Sequence, residues 1–178
     1  SPEEEKRNKS AAALKDEVER AWQLGIGLVN FHPGSHVKLA TEEECLALIA
    51  DEMNRIIAET ERVVLVLENT AGQGSNVGYR FEQLAAIIEQ IEEKNRVGVC
   101  LDTCHTYAAG YDISDEDGWN RTMEEFGSVV GLDYLNGPDA YRTSSEYVAT
   151  PVTLTNDSTI ADRYGDRLAF RPSLLQLK

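Results

Sequence analysis

Positive charge is what this sequence has least of: 17 Lys+Arg stand against 31 Asp+Glu, a formal charge of −14. That balance argues against a broad basic face that neutralises phosphates, the feature that supplies most non-specific affinity for nucleic acid. A nucleic-acid substrate needs support from elsewhere in the chain. No apolar run approaches the roughly 20 residues of a membrane-spanning helix, so no membrane partner is expected. The first residues, Ser1-Pro2-Glu3-Glu4-Glu5-Lys6, lack the apolar core of a signal peptide, and the expected location is cytoplasmic or nuclear. Cysteine is scarce, with Cys45, Cys100 and Cys104 forming no C-x-x-C pair, which suggests reduced thiols; all three read most simply as packing residues. Histidine is scarcer in its consequences, because positions 32, 36 and 105 must cover every imidazole role. The small polar loop Glu68 to Asn76 has no Walker lysine and no dinucleotide fingerprint.

What is present is a repeated form. Leu28 to Phe31, Val63 to Leu67 and Val97 to Leu101 are short apolar runs followed directly by His32, Glu68 and Asp102, with His105 just beyond the last. Val63 to Leu67, apolar throughout, suits a strand covered on both faces, and groups at the ends of parallel strands converge on one edge of a sheet. Imidazole and carboxylate are the nitrogen and oxygen donors that zinc and harder metals take. Pro33-Gly34 stops the first run in a tight turn that holds His32 at its exit.

Between these runs the period changes to that of helices. Pro2 to Leu24 carries a stripe of Ala13, Leu14, Val18, Ala21, Trp22 and Leu24. Thr41-Glu42-Glu43-Glu44 is a capping box before Leu46, Ile49, Met53, Ile56 and Ile57. Tyr79 to Glu93 carries Phe81, Leu84, Ile87, Ile88 and Ile91, and Asp115 to Val130 carries Trp119, Met123 and Phe126. Strand and helix alternate as β-α-β-α-β, which implies a parallel sheet with right-handed crossovers, and Tyr134-Leu135 opens a fourth strand. Tyr107, Tyr111 and His36 read as structural residues. After Gly137 the texture turns to Ser, Thr, Asp and Asn, with no further strand-and-helix unit.

Phe31-His32-Pro33-Gly34-Ser35-His36, Leu67-Glu68-Asn69-Thr70-Ala71-Gly72-Gln73-Gly74-Ser75-Asn76 and the run from Val97 through Asp102-Thr103-Cys104-His105 to Asp112 closely resemble the endonuclease IV family of apurinic/apyrimidinic endonucleases. The resemblance runs from the first helix to Leu135. It implies an α/β fold: a partial (β/α)8 TIM barrel of the xylose isomerase type, with three to four parallel strands over residues 1–137 and a divergent, irregular tail over 138–178. It also implies zinc, up to three ions in the family. His32 matches a ligand of the first, Glu68 the carboxylate bridging first and second, Asp102 a ligand of the second and His105 a ligand of the third. Glu68 is accordingly the candidate catalytic residue. The implied reaction is hydrolysis of the DNA phosphodiester 5′ to an abasic site, in base-excision repair, with abasic DNA as partner.

The chain departs from that family at both ends. Strands that precede the first run in the family have no counterpart here. The family's later His-Leu-Asn-Asp and Asp-Arg-His motifs are echoed only by Asn156-Asp157-Ser158 and Asp162-Arg163-Tyr164, which lack the histidines. Three strands supply part of each zinc shell. Two other readings stand beside the nuclease: a metal-dependent sugar isomerase or epimerase on the same barrel, and a non-catalytic remnant.

Overall fold

Alternation of strand and helix is what the chain forms. The computed structural model describes residues 1–135; the domain boundary at 137 and the tail 138–178 lie outside the described residues. In order come α1 (Glu4–Gln23), β1 (Leu28–Phe31), β2 (Gly34–Ser35), α2 (Glu42–Glu59), β3 (Val64–Glu68), β4 (Asn76–Val77), α3 (Phe81–Glu89), β5 (Val97–Cys100), α4 (Thr103–Ala108) and α5 (Glu116–Val129). The three-stranded sheet has the order β1-β3-β5, with parallel pairing throughout. Leu135 makes an isolated parallel bridge to Val99, the place where a fourth strand would begin. No helix among the described residues is long and apolar enough to cross a membrane.

Pleating divides the strands by parity. The register aligns Val29 with Leu65 and Phe31 with Leu67, then Leu65 with Val97 and Leu67 with Val99. These odd-numbered residues join the apolar cluster beneath the helices. Successive side chains alternate between faces, so Asn30, His32, Val66, Glu68, Gly98, Cys100 and Asp102 share the opposite face. All three sequence-identified strand-end groups are therefore on one side.

The helices bury the residues their spacing marks. The Thr41 hydroxyl accepts from Glu44 N–H at 3.1 Å while the Glu44 carboxylate accepts from Thr41 N–H at 2.8 Å, the reciprocal box the sequence contains. Behind it Leu46, Ile49, Met53, Ile56 and Ile57 are buried, each worth roughly 1.5–3 kcal/mol. Beneath α2, buried Arg96 donates to Val63 O at 2.8 Å, Thr60 O at 3.1 Å and Thr60 Oγ1 at 3.0 Å, tying the entrance of β5 to the end of α2.

Three expectations need correction. In α1 the inward residues are Ala11, Leu14, Val18 and Ala21, whereas Ala13 is exposed and Trp22 and Leu24 are 44% and 75% exposed. Ala21 faces the sheet, and one residue further turns about 100° around the axis, which carries Trp22 outward. The third helix starts at Phe81 rather than Tyr79, because Gln83 Oε1 accepts from the N–H groups of Gly78, Tyr79 and Arg80 at 2.7, 3.1 and 3.3 Å and holds them in a turn. It stops at Glu89, where Asn54 donates to Gln90 O at 2.8 Å and accepts from Glu92 N–H at 2.9 Å.

Candidate metal centre

Each strand delivers its group by ending. β1 stops before Pro33, which leaves His32 at the rim with 58% of its side chain exposed. β3 ends on Glu68, 18% exposed, and β5 leads to Asp102, 15% exposed. Asp102 is the N-cap of α4, its Oδ1 accepting from His105 N–H at 2.8 Å, so the first turn of α4 swings the His105 ring back over β3.

The groups meet at one carboxylate oxygen. Glu68 Oε1 lies 3.4 Å from His32 Nε2 and 3.6 Å from His105 Nδ1. The two imidazoles face each other edge-on, with centroids 5.4 Å apart. His32, Glu68 and His105 each offer a ligand atom, and these atoms all lie within 4.8 Å of one another. Asp102 joins them through His105, its Oδ1 lying 3.8 Å from His105 Nδ1 while engaged in the helix cap.

The surroundings orient these donors. His105 Nδ1 is 2.8 Å from the backbone oxygen of Asn69, which can only accept, so Nδ1 carries the proton and Nε2 keeps the lone pair. Metal-binding histidines ordinarily hold their second nitrogen in this way. Asn30 donates from Nδ2 to Glu68 Oε2, which leaves Oε1 toward the histidines. Two imidazole nitrogens and a carboxylate oxygen in mutual reach, with second partners in place, fit a zinc ion's donor preferences. Cys100 sits on the same face, its thiol pushed up to about 12 by burial and by the charges of Glu68 and Asp102. It is a neutral neighbour.

The loops after β1 and β3 are pinned together above the site. β2 and β4 pair antiparallel, and Ser35 Oγ lies 2.7 Å from Ser75 Oγ and donates to Ser75 O at 2.8 Å. His36 belongs to this join, donating from its backbone to Ser75 O at 3.1 Å and accepting from Lys38 N–H at 3.3 Å. Tyr111 packs as expected, stacked on Phe81 at 4.0 Å, whereas Tyr107 is 63% exposed on α4. Cys104 is likewise exposed and not a packing residue. The short α4 lies on the rim and buries only Thr106.

Residues 1–139 match the model of the family described as the xylose isomerase-like TIM barrel. The chain belongs to the xylose isomerase-like TIM barrel family. Among solved structures it is similar to endonuclease IV from Thermus thermophilus, at 40% identity and a TM-score of 0.59, over 72% of this chain and 44% of that one. It is similar also to a D-tagatose 3-epimerase-like protein, at 24% identity and a TM-score of 0.61, over 78% of this chain and 48% of that one. The second likeness carries the fold alone; the first makes this an endonuclease IV-like, partial member of the family. The chain spans about half the length of both structures.

Sequence reasoning missed Asn30 and Asn69. Asn30 stands two residues before His32 on the same face of β1, and a strand asparagine aimed at a candidate ligand is the signal that was there to be used. Asn69 follows Glu68 directly and is 1% exposed, a burial that the glycine-rich composition of the loop conceals.

Proposed function

We propose that this chain carries ligands of a zinc-dependent endonuclease that cleaves the DNA phosphodiester 5′ to abasic sites in base-excision repair. The observation that supports it is the gathering of ligand atoms of His32, Glu68 and His105 within 4.8 Å of one another, in a chain 40% identical to an endonuclease IV. Zinc, when bound, supplies a Lewis acid that acidifies water and neutralises charge on the scissile phosphate. His32, Glu68, Asp102 and His105 would hold it. Glu68 would be the residue suited to serve two ions, since its Oε1 faces the histidines and its Oε2 keeps a second lone pair beside the bond from Asn30. Asp102, fixed by its cap to α4, keeps an oxygen on the same face. Cation charge at the site would offset part of the acidity of a chain at −14, so the active rim need not be built from lysine and arginine.

The same donors could serve a sugar isomerase or epimerase, so the test must separate the two. Zinc content of the purified chain is measured together with incision of a duplex holding one abasic site, for the wild type and Glu68→Gln. Stoichiometric zinc with incision that Glu68→Gln abolishes is the expected result. A metal-loaded chain that leaves the duplex intact and epimerises a ketose would transfer the reading to sugar chemistry. Zinc-free protein that cuts nothing would reduce it to a non-catalytic remnant.

A further inference from the structure

We propose that Asn69 is a positioning residue that couples the exits of β3 and β5 and selects the nitrogen with which His105 binds a cation. The inference deepens the reading of this site as a zinc centre and rests on it. Asn69 is 1% exposed and bonds through every polar group it has. Its backbone N–H donates to Cys100 O at 3.1 Å. Its backbone oxygen accepts from His105 Nδ1 at 2.8 Å. Its side-chain Oδ1 accepts from Asp102 N–H at 2.6 Å, and Nδ2 donates to Thr106 Oγ1 at 3.0 Å. Thr106, itself buried, passes the chain on by donating to Asp102 O at 2.7 Å.

The geometry gives each bond a consequence. A carbonyl has no proton to offer, so the Asn69 carbonyl forces the proton of a neutral His105 onto Nδ1 and the lone pair onto Nε2. That carbonyl belongs to the residue after Glu68, so one short backbone segment aims both the carboxylate and the imidazole. The direction of the carbonyl is held because the Asn69 side chain is clamped to the first turn of α4. Removing the amide leaves the N–H of Asp102 and the hydroxyl of Thr106 short of a partner, and lets α4 shift against β3. The ring then loses its fixed acceptor.

A purely structural asparagine provides the comparison. Asn54 also bridges two segments with a two-bond amide, to Gln90 O and from Glu92 N–H, away from the site. The test uses the full chain with nitrogen-labelled histidine. Imidazole spectra of the metal-free protein in mildly alkaline buffer report which ring nitrogen is protonated, and competition with a chromophoric chelator reports zinc affinity. The wild type should show His105 protonated at Nδ1. Asn69→Ala should show mixed tautomers and bind zinc about ten-fold more weakly or worse. Asn54→Ala should melt earlier with neither readout moved. Thr106→Ala, a smaller lesion, should move both readouts in the same direction by less, and it serves if Asn69→Ala does not fold. A wild-type His105 spectrum and zinc affinity in both site variants would overturn the proposal. Zinc-free wild type that still shows the Asn69-dependent tautomer would sink the zinc reading while leaving the coupling of Asn69 to His105 standing.

Discussion

Asn30 on β1 donates a hydrogen bond to Oε2 of Glu68, 38 residues away at the exit of β3. The contact crosses a strand boundary on the face away from the helices. It holds a carboxylate that would otherwise rotate freely, so that its other oxygen stays between two imidazoles. In Asn30→Ala the zinc affinity should fall about ten-fold, as is usual when a ligand loses its supporting partner. Asn30 is solvent-exposed, so the melting temperature of the metal-free chain should hardly move. Chelator competition and a thermal melt read the two effects separately, and a large loss of stability with unchanged affinity would contradict this assignment.

Arg96 should behave in the opposite way. Its guanidinium satisfies carbonyls at the end of α2 and the start of β3 from a site that is 7% exposed. Truncation orphans those acceptors, and Arg96→Ala should cost about 3 kcal/mol. Lysine cannot reproduce the fork and should restore little. Urea unfolding of the two variants checks both statements.

Gly78 tests the join between the loops. Its φ of +90° lies where side chains are strained, and a Cβ there would approach Pro33 Cγ to 2.8 Å. Gly78→Ala should destabilise by roughly 1–3 kcal/mol. Because Pro33 follows His32, zinc affinity should fall as well. Gly74 also has positive φ, at +67°, with open space around it, so alanine there should cost stability and leave the metal site alone. Thermal melts and chelator competition on the two variants check the contrast.

A pH-dependent contribution is expected from Asp112. The Ser114 hydroxyl, the Ser114 N–H and the Arg121 guanidinium hold its carboxyl below the usual carboxylate range. A depressed folded-state value means that this stabilisation is complete above the ordinary carboxylate pKa. It is lost as pH falls through the lower, folded value. Asp112→Asn should therefore be less stable than wild type at neutral pH, and the gap should close in acid. A gap that stayed constant down to strongly acidic pH would assign the effect to something other than ionisation.

Strand and helix positions were legible because each depends on near neighbours. β1 was read to the residue, and the capping box of α2 is a four-residue signal. The start of α3 was misread because Gln83 spends its side chain on three preceding N–H groups, an effect no periodicity reports. Exposure of Tyr107 and Cys104 was missed for a related reason, since a six-residue helix on a rim has too few turns to show which face is inward. The place of His32, Glu68 and Asp102 directly after three short runs makes them visible as groups on one edge of a sheet. The partners of Asn30 and Asn69 are not legible, because they lie 33 to 38 positions away and only the register of β1, β3 and β5 brings them together.

The parity of the three strands separates two kinds of inheritance. Odd positions from Val29 to Val99 answer only to the hydrocarbon layer, where one aliphatic group can replace another at modest cost, while even positions answer to the chemistry of the rim. Replacements can thus accumulate in one set without disturbing the other, although the letters are interleaved. A single-residue deletion inside Val97–Cys100 would be another matter: it would exchange the two sets downstream, sending Asp102 toward oil and Leu101 toward water.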